Sequence, residues 1–375
     1  MSGRLGTADV IVIGGGLHGC SAALHCARGG LSVAVVEKDT VARHASGVNA
    51  GGVRRLGRHM AEIPISVASM ALWHRIEELV DDDCGFQPAP QIKVAESEAD
   101  LAALAEREAR LRAAGYTHEE LLDRDRLFAF LPALSPHCVG GLASLGDGFA
   151  EPYRTTFAFA RKARALGVVF HEGTLVEDIV PAGNGFEVKT SRGTLAGARL
   201  VNCAGAWSGR FAERLGEPVP LEPMAPMMIV TARVAPFCEA VVGATARPLS
   251  FKQMPNGTVV IGGGRLGSSN LATGRTDIDF RELARTARTA AEIFPVMADQ
   301  RIVRCWAGIE GRMPDDIPVI GPSSTTDGVV HAFGFCGHGF QLGPAVGSIV
   351  ADLVATGRTD MPIEPFSIRR FATTG

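Results

Sequence analysis

The feature that most constrains the fold is a glycine pattern close to the start of the sequence. Gly14-x-Gly16-x-x-Gly19 lies between an apolar strand, Asp9–Ile13, and a helical stretch that ends near Arg28. Gly14 permits a tight turn, Gly16 lets a pyrophosphate approach the backbone, and Gly19 lets the helix pack closely on the strand. The start of the helix directs free N–H groups and the positive end of its dipole at the phosphates. The pattern therefore predicts a dinucleotide site, with an ordinary βα turn as the alternative.

An acidic residue and the loop after it favour FAD among the dinucleotides. Glu37 ends the second strand, where a carboxylate can accept hydrogen bonds from ribose hydroxyls and repels the 2′-phosphate of NADP. An NAD-binding domain would continue as one β-α-β-α-β block, whereas small residues follow here from His44 to Gly52. Such a loop can pass alongside a large cofactor, and further glycine turns can enclose that cofactor permanently. An NAD-dependent dehydrogenase remains an alternative.

The order of the predicted elements indicates two domains, each assembled from separated pieces. The two helices predicted between residues 64 and 114 do not look like strand crossovers, so the chain leaves the first domain there. It returns with Arg199–Trp207, a strand, tight turn and helix start, and again with the strand Val329–Phe333. The predicted fold combines α/β and α+β architecture, as a Rossmann-like FAD-binding domain interleaved with a substrate domain on an antiparallel or mixed sheet. The predicted pieces are 1–80, 145–215 and 300–375 for the FAD-binding domain, and 81–144 and 216–299 for the substrate domain.

Composition restricts the partners and the compartment. The net charge is −3 and the charged residues, 21% of the chain, form no basic stripe, so nucleic acid is not expected as a partner. No apolar run is expected to reach the roughly eighteen residues that a membrane span needs, and the start has no signal-peptide h-region. The eight cysteines stand singly. This spacing predicts free thiols, no metal site and a cytoplasmic protein.

The glycine motif and six further segments together resemble the D-amino-acid oxidase superfamily of flavoproteins. The likeness covers essentially the whole chain. Glycine and sarcosine oxidases are similar to it, and catalytic subunits of the D-hydroxyproline dehydrogenase and octopine oxidase type resemble it more closely. The resemblance implies that the α-hydrogen of a neutral amine passes as hydride to flavin N5, giving an imine that hydrolyses. The six segments are Ser46–Gly52, Asp147–Pro152, Val201–Trp207, Trp306–Gly311, Asp315–Pro322 and Gly334–Gln341.

The resemblance also assigns residues to the cofactor. Ser46 and the loop to Gly52 would lie along the flavin, Val176 would meet the adenine by its backbone, and a glycine turn before the last helix would direct N–H groups at flavin N1 and O2. Gly308 matches the position where some sarcosine oxidases attach the flavin to cysteine, so FAD is expected without a covalent bond. The predicted cofactor contacts are Gly14, Gly16, Leu17, His18, Gly19, Glu37, Lys38, Ser46, Asn49, Ala50, Gly51, Gly52, Val176, Ala204, Gly205, Trp207, Gly308, Gly337, Gly339, Phe340 and Gln341.

The substrate site departs from the family pattern. In related oxidases an arginine binds the substrate carboxylate where this chain has Glu310, and a carboxylate cannot pair with a carboxylate. The replacement is expected among Arg54, Arg55 and Arg312, because the guanidinium fork suits bidentate binding. Glu310 would either meet a cationic amine or serve as a structural acceptor. His338 would either act on the substrate and its protons or only pack.

A second departure concerns the electron acceptor. Sarcosine oxidase uses a lysine, in a strand that resembles Thr258–Gly262, to promote reaction of the reduced flavin with oxygen. Val260 occupies that position here, and Lys252, eight residues away, is expected to point elsewhere. Without a nearby cation, oxygen reduction loses electrostatic help. The sequence therefore favours an amine dehydrogenase, with a partner electron-transfer subunit as one possibility and an FAD-binding protein without catalysis as another.

Overall fold

The computed structural model describes residues 3–372, which contain 23 strands and ten α-helices. The strands in chain order are β1 (Arg4–Ile13), β2 (Val33–Val36), β3 (Gly52–Val53), β4 (Gln87–Pro88), β5 (Gln91–Ala95), β6 (Glu120–Leu122), β7 (Gly140–Ser144), β8 (Gly148–Phe149), β9 (Val169–His171), β10 (Val176–Ala182), β11 (Gly185–Thr190), β12 (Gly193–Asn202), β13 (Glu222–Met224), β14 (Met227–Thr231), β15 (Val241–Ala244), β16 (Ser250–Gln253), β17 (Val259–Gly262), β18 (Ser268–Asn270), β19 (Arg275–Asp277), β20 (Ile302–Ala307), β21 (Glu310–Arg312), β22 (Val319–Pro322) and β23 (Val329–Phe333). The helices are α1 (Leu17–Arg28), α2 (Ala45–Val48), α3 (Ile63–Trp73), α4 (Ile76–Val80), α5 (Glu98–Ala113), α6 (Arg124–Phe130), α7 (Pro152–Ala165), α8 (Ser208–Arg214), α9 (Phe280–Ile293) and α10 (Gly339–Thr356).

The first sheet has eight strands and a parallel centre built on β1. β1 pairs in parallel with β12 and β2, which pair in turn with β23 and β9, while β10 and β11 extend the sheet antiparallel. Because side chains of a strand alternate between faces, Val10 and Val12 enter one core and Ile11 and Ile13 enter another. A parallel strand buried on both faces is typical of nucleotide-binding α/β sheets.

The second sheet also has eight strands, in the order β20-β14-β17-β16-β15-β5-β7-β6. All its pairs are antiparallel except β15 with β5, so the predicted mixed sheet is present. One face forms a core with α9 around Phe251 and Phe294, whose rings stack at 4.5 Å. On the opposite face Ala95 and Leu142 form a smaller core with Leu104 of α5. The predicted fold class is confirmed.

The structure differs from the sequence prediction in two places. The helix expected to continue from Pro64 to Val80 is split into α3 and α4, because Arg75 has a φ of −126°, outside the helical range. β20 pairs with β14 in the second sheet, although the predicted boundary at residue 300 placed it in the first domain. The domain boundaries themselves stay predictions.

Helix α10 runs through the core of the first domain. Among the described residues it is the one helix that is long and apolar enough to cross a membrane, with 67% of its window buried in the protein. The expectation that no stretch reaches this length was therefore wrong. Its buried side chains pack with those of α1 and α3, as in the core helix of a large domain.

Two glycines allow α10 to approach α1 closely. A Cβ on Gly343 would lie 2.6 Å from Leu17 Cδ2, and one on Gly347 would overlap the hydroxyl of Ser21. Ser21 is itself fully buried, so it has no free space to move into. The two helices can therefore approach this closely only because Gly343 and Gly347 have no side chain.

We expect Gly347→Ala to lower the free energy of unfolding by about 1–3 kcal/mol, because the extra methyl forces the helices apart. Urea unfolding of the cofactor-loaded protein measures this. Gly209→Ala in α8 is the matched control, since its Cβ would meet nothing closer than 3.5 Å. Equal stability of the two variants would contradict the packing argument.

Candidate active site

A cavity of about 830 Å³ lies between the two sheets. Its volume is within the range of cofactor and ligand sites. Loops of the first sheet supply most of one wall, and β5, β15 and the segment up to Ser250 supply the other. Almost all the predicted cofactor residues line this cavity; Gly19 and Gln341 do not.

The nucleotide loop has the geometry that its glycines predict. A Cβ on Gly14, where φ is +108°, would overlap the carbonyl of Cys203, and one on Gly16 would lie 2.9 Å from Ser46 Oγ. A Cβ on Gly19 would overlap the carbonyl of Gly14, so this glycine permits helix packing, as predicted. Ser46 Oγ accepts a hydrogen bond of 2.9 Å from the N–H of Leu17, which fixes the start of α1.

Glu37 holds this loop against the end of β2. Its carboxylate accepts hydrogen bonds from the N–H groups of Gly15, at 2.7 Å, and Asp39, at 2.8 Å. Burial raises the pKa of Glu37 despite these two bonds. The side chain lines the cavity, and its contact with a ribose stays a prediction.

Aromatic and basic side chains form the wall beside Glu37. The ammonium of Lys38 lies 4.1 Å from the centre of the Trp207 ring and 2.9 Å from His44 Nε2. His44 packs against the same ring, and burial lowers its pKa. Val176, Ala204 and Gly205 complete the cavity wall here.

The opposite end of the cavity is built from backbone. Asn49 holds its loop by accepting a hydrogen bond of 2.8 Å from Gly51 and donating one of 2.9 Å to the carbonyl of Ala45. The turn from Gly337 to Phe340 places the first N–H groups of α10 at the cavity wall. These are the donors that the glycine turn predicts for a flavin edge. The other members of this wall are Ser46, Ala50, Gly52 and Gly308.

A buried histidine at the cavity wall, His18, has a ring nitrogen without a hydrogen-bond partner among residues 3–372. His18 stacks on Phe335 with ring centres 3.6 Å apart, and burial lowers its pKa to about 3. Its Nε2 is buried and has no hydrogen-bond partner among residues 3–372. A buried polar atom normally has a partner, so a ligand group in this cavity would complete the site.

Gln341 corrects the predicted cofactor set. Its side chain is fully buried away from the cavity and both accepts from and donates to Ser66, at 3.0 Å and 2.9 Å. The Gln341 carbonyl accepts from Ser69 Oγ and from Trp73 Nε1 at 2.8 Å. The helical phase of α10 turns this residue toward α3, so it anchors the helix and leaves the cavity wall to its neighbours.

Glu310 and His338 meet at the turn before α10. Glu310 Oε1 accepts a hydrogen bond of 2.5 Å from the N–H of Gly337, so its contact is that of a structural acceptor, one of its two predicted roles. Burial raises the pKa of Glu310 to about 7. His338 Nδ1 lies 3.4 Å from the carboxylate of Glu62, and burial lowers the pKa of His338 to about 4. The imidazole is therefore neutral at pH 7.

Only one of the three candidate arginines lines the cavity within residues 3–372. Arg312 is half exposed and pairs with Asp316 at 2.7 Å, so its proposed substrate role was wrong. Arg55 pairs with the buried carboxylate of Asp147 at 2.9 Å and lines a separate cleft. Arg54 lines the main cavity, donates to the carbonyl of Leu56, and has its pKa lowered by burial.

Lys93 is a cavity residue that the sequence reasoning missed. It lies in β5, where Ile92 and Val94 enter the core of the second sheet and Lys93 points to the cavity face. Burial lowers the pKa of Lys93, and the charge of Arg54 lowers it further. Lys93 stands between two apolar residues, Ile92 and Val94, in a short strand. This alternation could have predicted that Lys93 points away from the core.

Lys252 also faces this side of the sheet, which corrects a prediction. It is paired directly with Val260, and residues opposite each other in an antiparallel pair share a face. Its ammonium lies 3.2 Å from where a Cβ on Gly51 would be and 4.5 Å from the centre of the Phe149 ring. Burial lowers the pKa of Lys252 to about 7. A cation therefore lies directly behind the loop of the predicted flavin site.

The raised pKa of Glu310 makes stability depend on pH. Its ordinary value is 4.5 and its folded value is about 7, so folding favours the protonated form. This contribution is complete below pH 4.5 and is lost as the pH rises through 7. We expect the wild type to lose up to about 3 kcal/mol relative to Glu310→Gln across this interval.

Urea unfolding of the cofactor-loaded proteins at several pH values measures this difference. Glu213→Gln, at an exposed position on α8, is the control and should follow the wild type. Parallel pH profiles for wild type and Glu310→Gln would show that the carboxyl titrates normally.

Comparison with known proteins identifies the family. The family described as FAD dependent oxidoreductase, DAO, matches residues 9–353. One of the subunits of opine oxidase from Rhizobium meliloti is 28% identical over 97% of both chains. Glycine oxidase from Bacillus licheniformis is 28% identical over 92% of both chains.

Solved structures agree with the fold. Glycine oxidase from Geobacillus kaustophilus superposes with a TM-score of 0.89 at 24% identity, over 98% of this chain and 99% of that one. L-proline dehydrogenase from P. horikoshii gives 0.90 at 24% identity, over 97% and 98%. The resemblance drawn from the sequence is thus confirmed. This chain belongs to the DAO family of FAD-dependent oxidoreductases.

Proposed function

We propose that this chain uses FAD to oxidise a C–N bond of an amino acid or secondary amine, giving an imine that hydrolyses. The observation that carries the proposal is Arg54, a buried cation on the wall of the same cavity that holds the nucleotide loop. Relatives named opine oxidase, glycine oxidase and sarcosine oxidase support this reaction class. Bound FAD would supply the hydride acceptor.

The chain's own residues would bind and orient the substrate. Arg54 Nη1 donates to Leu56, and the rest of its guanidinium is free to bind a carboxylate. Neutral His338 can accept or donate a hydrogen bond without adding charge. Hydride transfer needs orientation and exclusion of water rather than an acid–base pair. Arg54 would orient the substrate by binding its carboxylate.

The position of Lys252 supports oxygen as the electron acceptor. Its ammonium has no hydrogen-bond or ion-pair partner among the described residues and lies behind the loop at Gly51. A fixed cation stabilises negative charge that develops as oxygen is reduced. The sequence favoured a dehydrogenase only because its spacing indicated no such cation.

A catalytic subunit that passes electrons to a partner chain is the second candidate. Relatives named as subunits of opine oxidase, sarcosine oxidase and hydrogen cyanide synthase support it. The surface offers one supporting feature: β20 is the last strand of its sheet, and Ile302 and Val303 on it are 47% and 62% exposed. An open apolar strand edge is a common place for another chain to bind.

We also propose that the protein works in the cytoplasm. All eight cysteines lie within the described residues and are free, and six of them are buried. Burial raises the pKa of Cys336, which lines the cavity, to about 12, so its thiol stays protonated. Protonated thiols suit a reducing compartment and a flavin bound without a covalent link.

Anaerobic mixing with an amine substrate should bleach the visible absorbance of the flavin. We expect Arg54→Met to weaken substrate binding by about tenfold to a hundredfold, because a buried charge-assisted hydrogen bond is lost, with FAD still bound. The half-exposed Arg312→Met is the control. Unchanged substrate affinity in Arg54→Met would rule out Arg54 as the group that binds the substrate carboxylate. If no amine bleaches the flavin, the protein binds FAD without catalysis.

Air reoxidation of the reduced flavin tests the acceptor. We expect Lys252→Met to slow it about tenfold or more and to leave anaerobic reduction unchanged. In the wild type the rate should fall as pH rises through about 7, where the lysine loses its charge. Lys162→Met, at a surface ion pair with Asp81, is the control. A wild-type flavin that stays reduced in air would favour the partner chain.

A further inference from the structure

We propose that the substrate is an amino dicarboxylate, with Arg54 binding one of its carboxylates and Lys93 the other. The inference rests on the proposed function and narrows it from amines in general to those with two acidic groups. Two sources share this chemistry: secondary amines that carry a carboxylate on each arm, and acidic amino acids.

Lys93 has the position of a ligand-binding residue rather than of a surface charge. It lies in the middle of β5, with Ile92 and Val94 in the hydrophobic core on the other face. Its register partner on β15 is Gly243, which also lines the cavity and leaves the space beside the lysine free of side-chain atoms. Among residues 3–372, Lys93 Nζ has neither an ion pair nor a hydrogen bond.

Arg54 and Lys93 approach the cavity from opposite domains. Arg54 follows β3, beside the flavin loop, and Lys93 belongs to the second sheet. Both side chains line the same cavity, and the charge of Arg54 contributes to the lowered pKa of Lys93. A ligand between them would contact both, and each would need an anionic partner.

The surrounding carboxylates do not supply those partners. Asp147 binds Arg55 and the N–H of Leu56. Glu119 binds Arg107 by two hydrogen bonds of 2.7 Å and also accepts from Gly57. Glu62 faces His338, and Glu310 accepts a hydrogen bond from the N–H of Gly337.

The local charge balance therefore favours a dianion. Arg54 and Lys93 line the cavity, and neither has an ion pair among the described residues, whereas Arg55 and Arg107 pair with Asp147 and Glu119. Unpaired buried charges are costly. A substrate with two carboxylates balances them, whereas one carboxylate leaves a buried ammonium without a partner.

Binding of inert analogues separates recognition from catalysis. Thiodiacetate and methylthioacetate carry sulfur in place of the amine nitrogen and differ by one carboxylate. Titrated into the FAD-loaded protein and followed by the flavin spectrum, thiodiacetate should bind at least about tenfold more tightly. Lys93→Met should reduce this ratio to near one, and Lys93→Arg should retain it. Lys189→Met, an exposed lysine on β11, should behave as the wild type.

The stability of Lys93→Met provides an independent check. Methionine has a similar length and no charge, so removal of the unpaired ammonium should leave the midpoint of thermal unfolding equal or higher. A large fall in that midpoint would show that Lys93 is a structural residue and would overturn the inference. Equal binding of the two analogues by the wild type would also overturn it.

Anaerobic flavin reduction distinguishes this inference from the function on which it rests. Iminodiacetate and N-carboxyalkyl amino acids test the secondary amines, aspartate and glutamate test the acidic amino acids, and N-methylglycine provides one carboxylate. A lower KM for a dicarboxylate, raised about tenfold or more by Lys93→Met, supports the inference. Preference for N-methylglycine would overturn it and keep amine oxidation. Reduction by none of them would overturn both.

Discussion

The close approach of α1 to its neighbours is the constraint on which the rest of the structure depends. The start of this helix touches the turn at Gly14, and its middle packs against α10 at Gly347. One helix thereby fixes two loops: the turn before α1, which suits a pyrophosphate, and the turn at Gly337, which suits the edge of a flavin. Both contacts are possible only because glycine has no side chain, so the placement of these two loops depends on a few glycines.

The two faces of the second sheet divide stability from recognition. On one face Ile92, Val242 and Phe251 form the core, and on the other Lys93 and Lys252 face the first domain. The strand register makes this division necessary, because alternate residues of each strand point to opposite faces. Substitutions of Lys93 or Lys252 therefore remove no side chain from the core around Phe251.

Local patterns explain why much of the fold was predictable. The glycine motif and the acidic end of β2 each depend on neighbours in the chain, so the sequence alone indicates them. Lys252 was placed wrongly because its orientation depends on pairing between β16 and β17, which spacing along the chain does not reveal. Gln341 was assigned by its distance from the glycine turn, but the helical phase of α10 turns it toward α3.

The three candidate arginines also show that spacing along the sequence does not determine which side chain reaches the cavity. Arg54 and Arg55 are adjacent, yet only Arg54 lines the main cavity within the described residues, because Asp147 holds Arg55 on the other side of the chain. Arg312 lies two residues after Glu310 and pairs with Asp316 at the surface. In each case the position of a carboxylate decides which cation remains unpaired. Arg54 and Lys93, the cations that we propose bind substrate, are among those that the fold leaves without a carboxylate, and that property belongs to the whole charge network rather than to any motif.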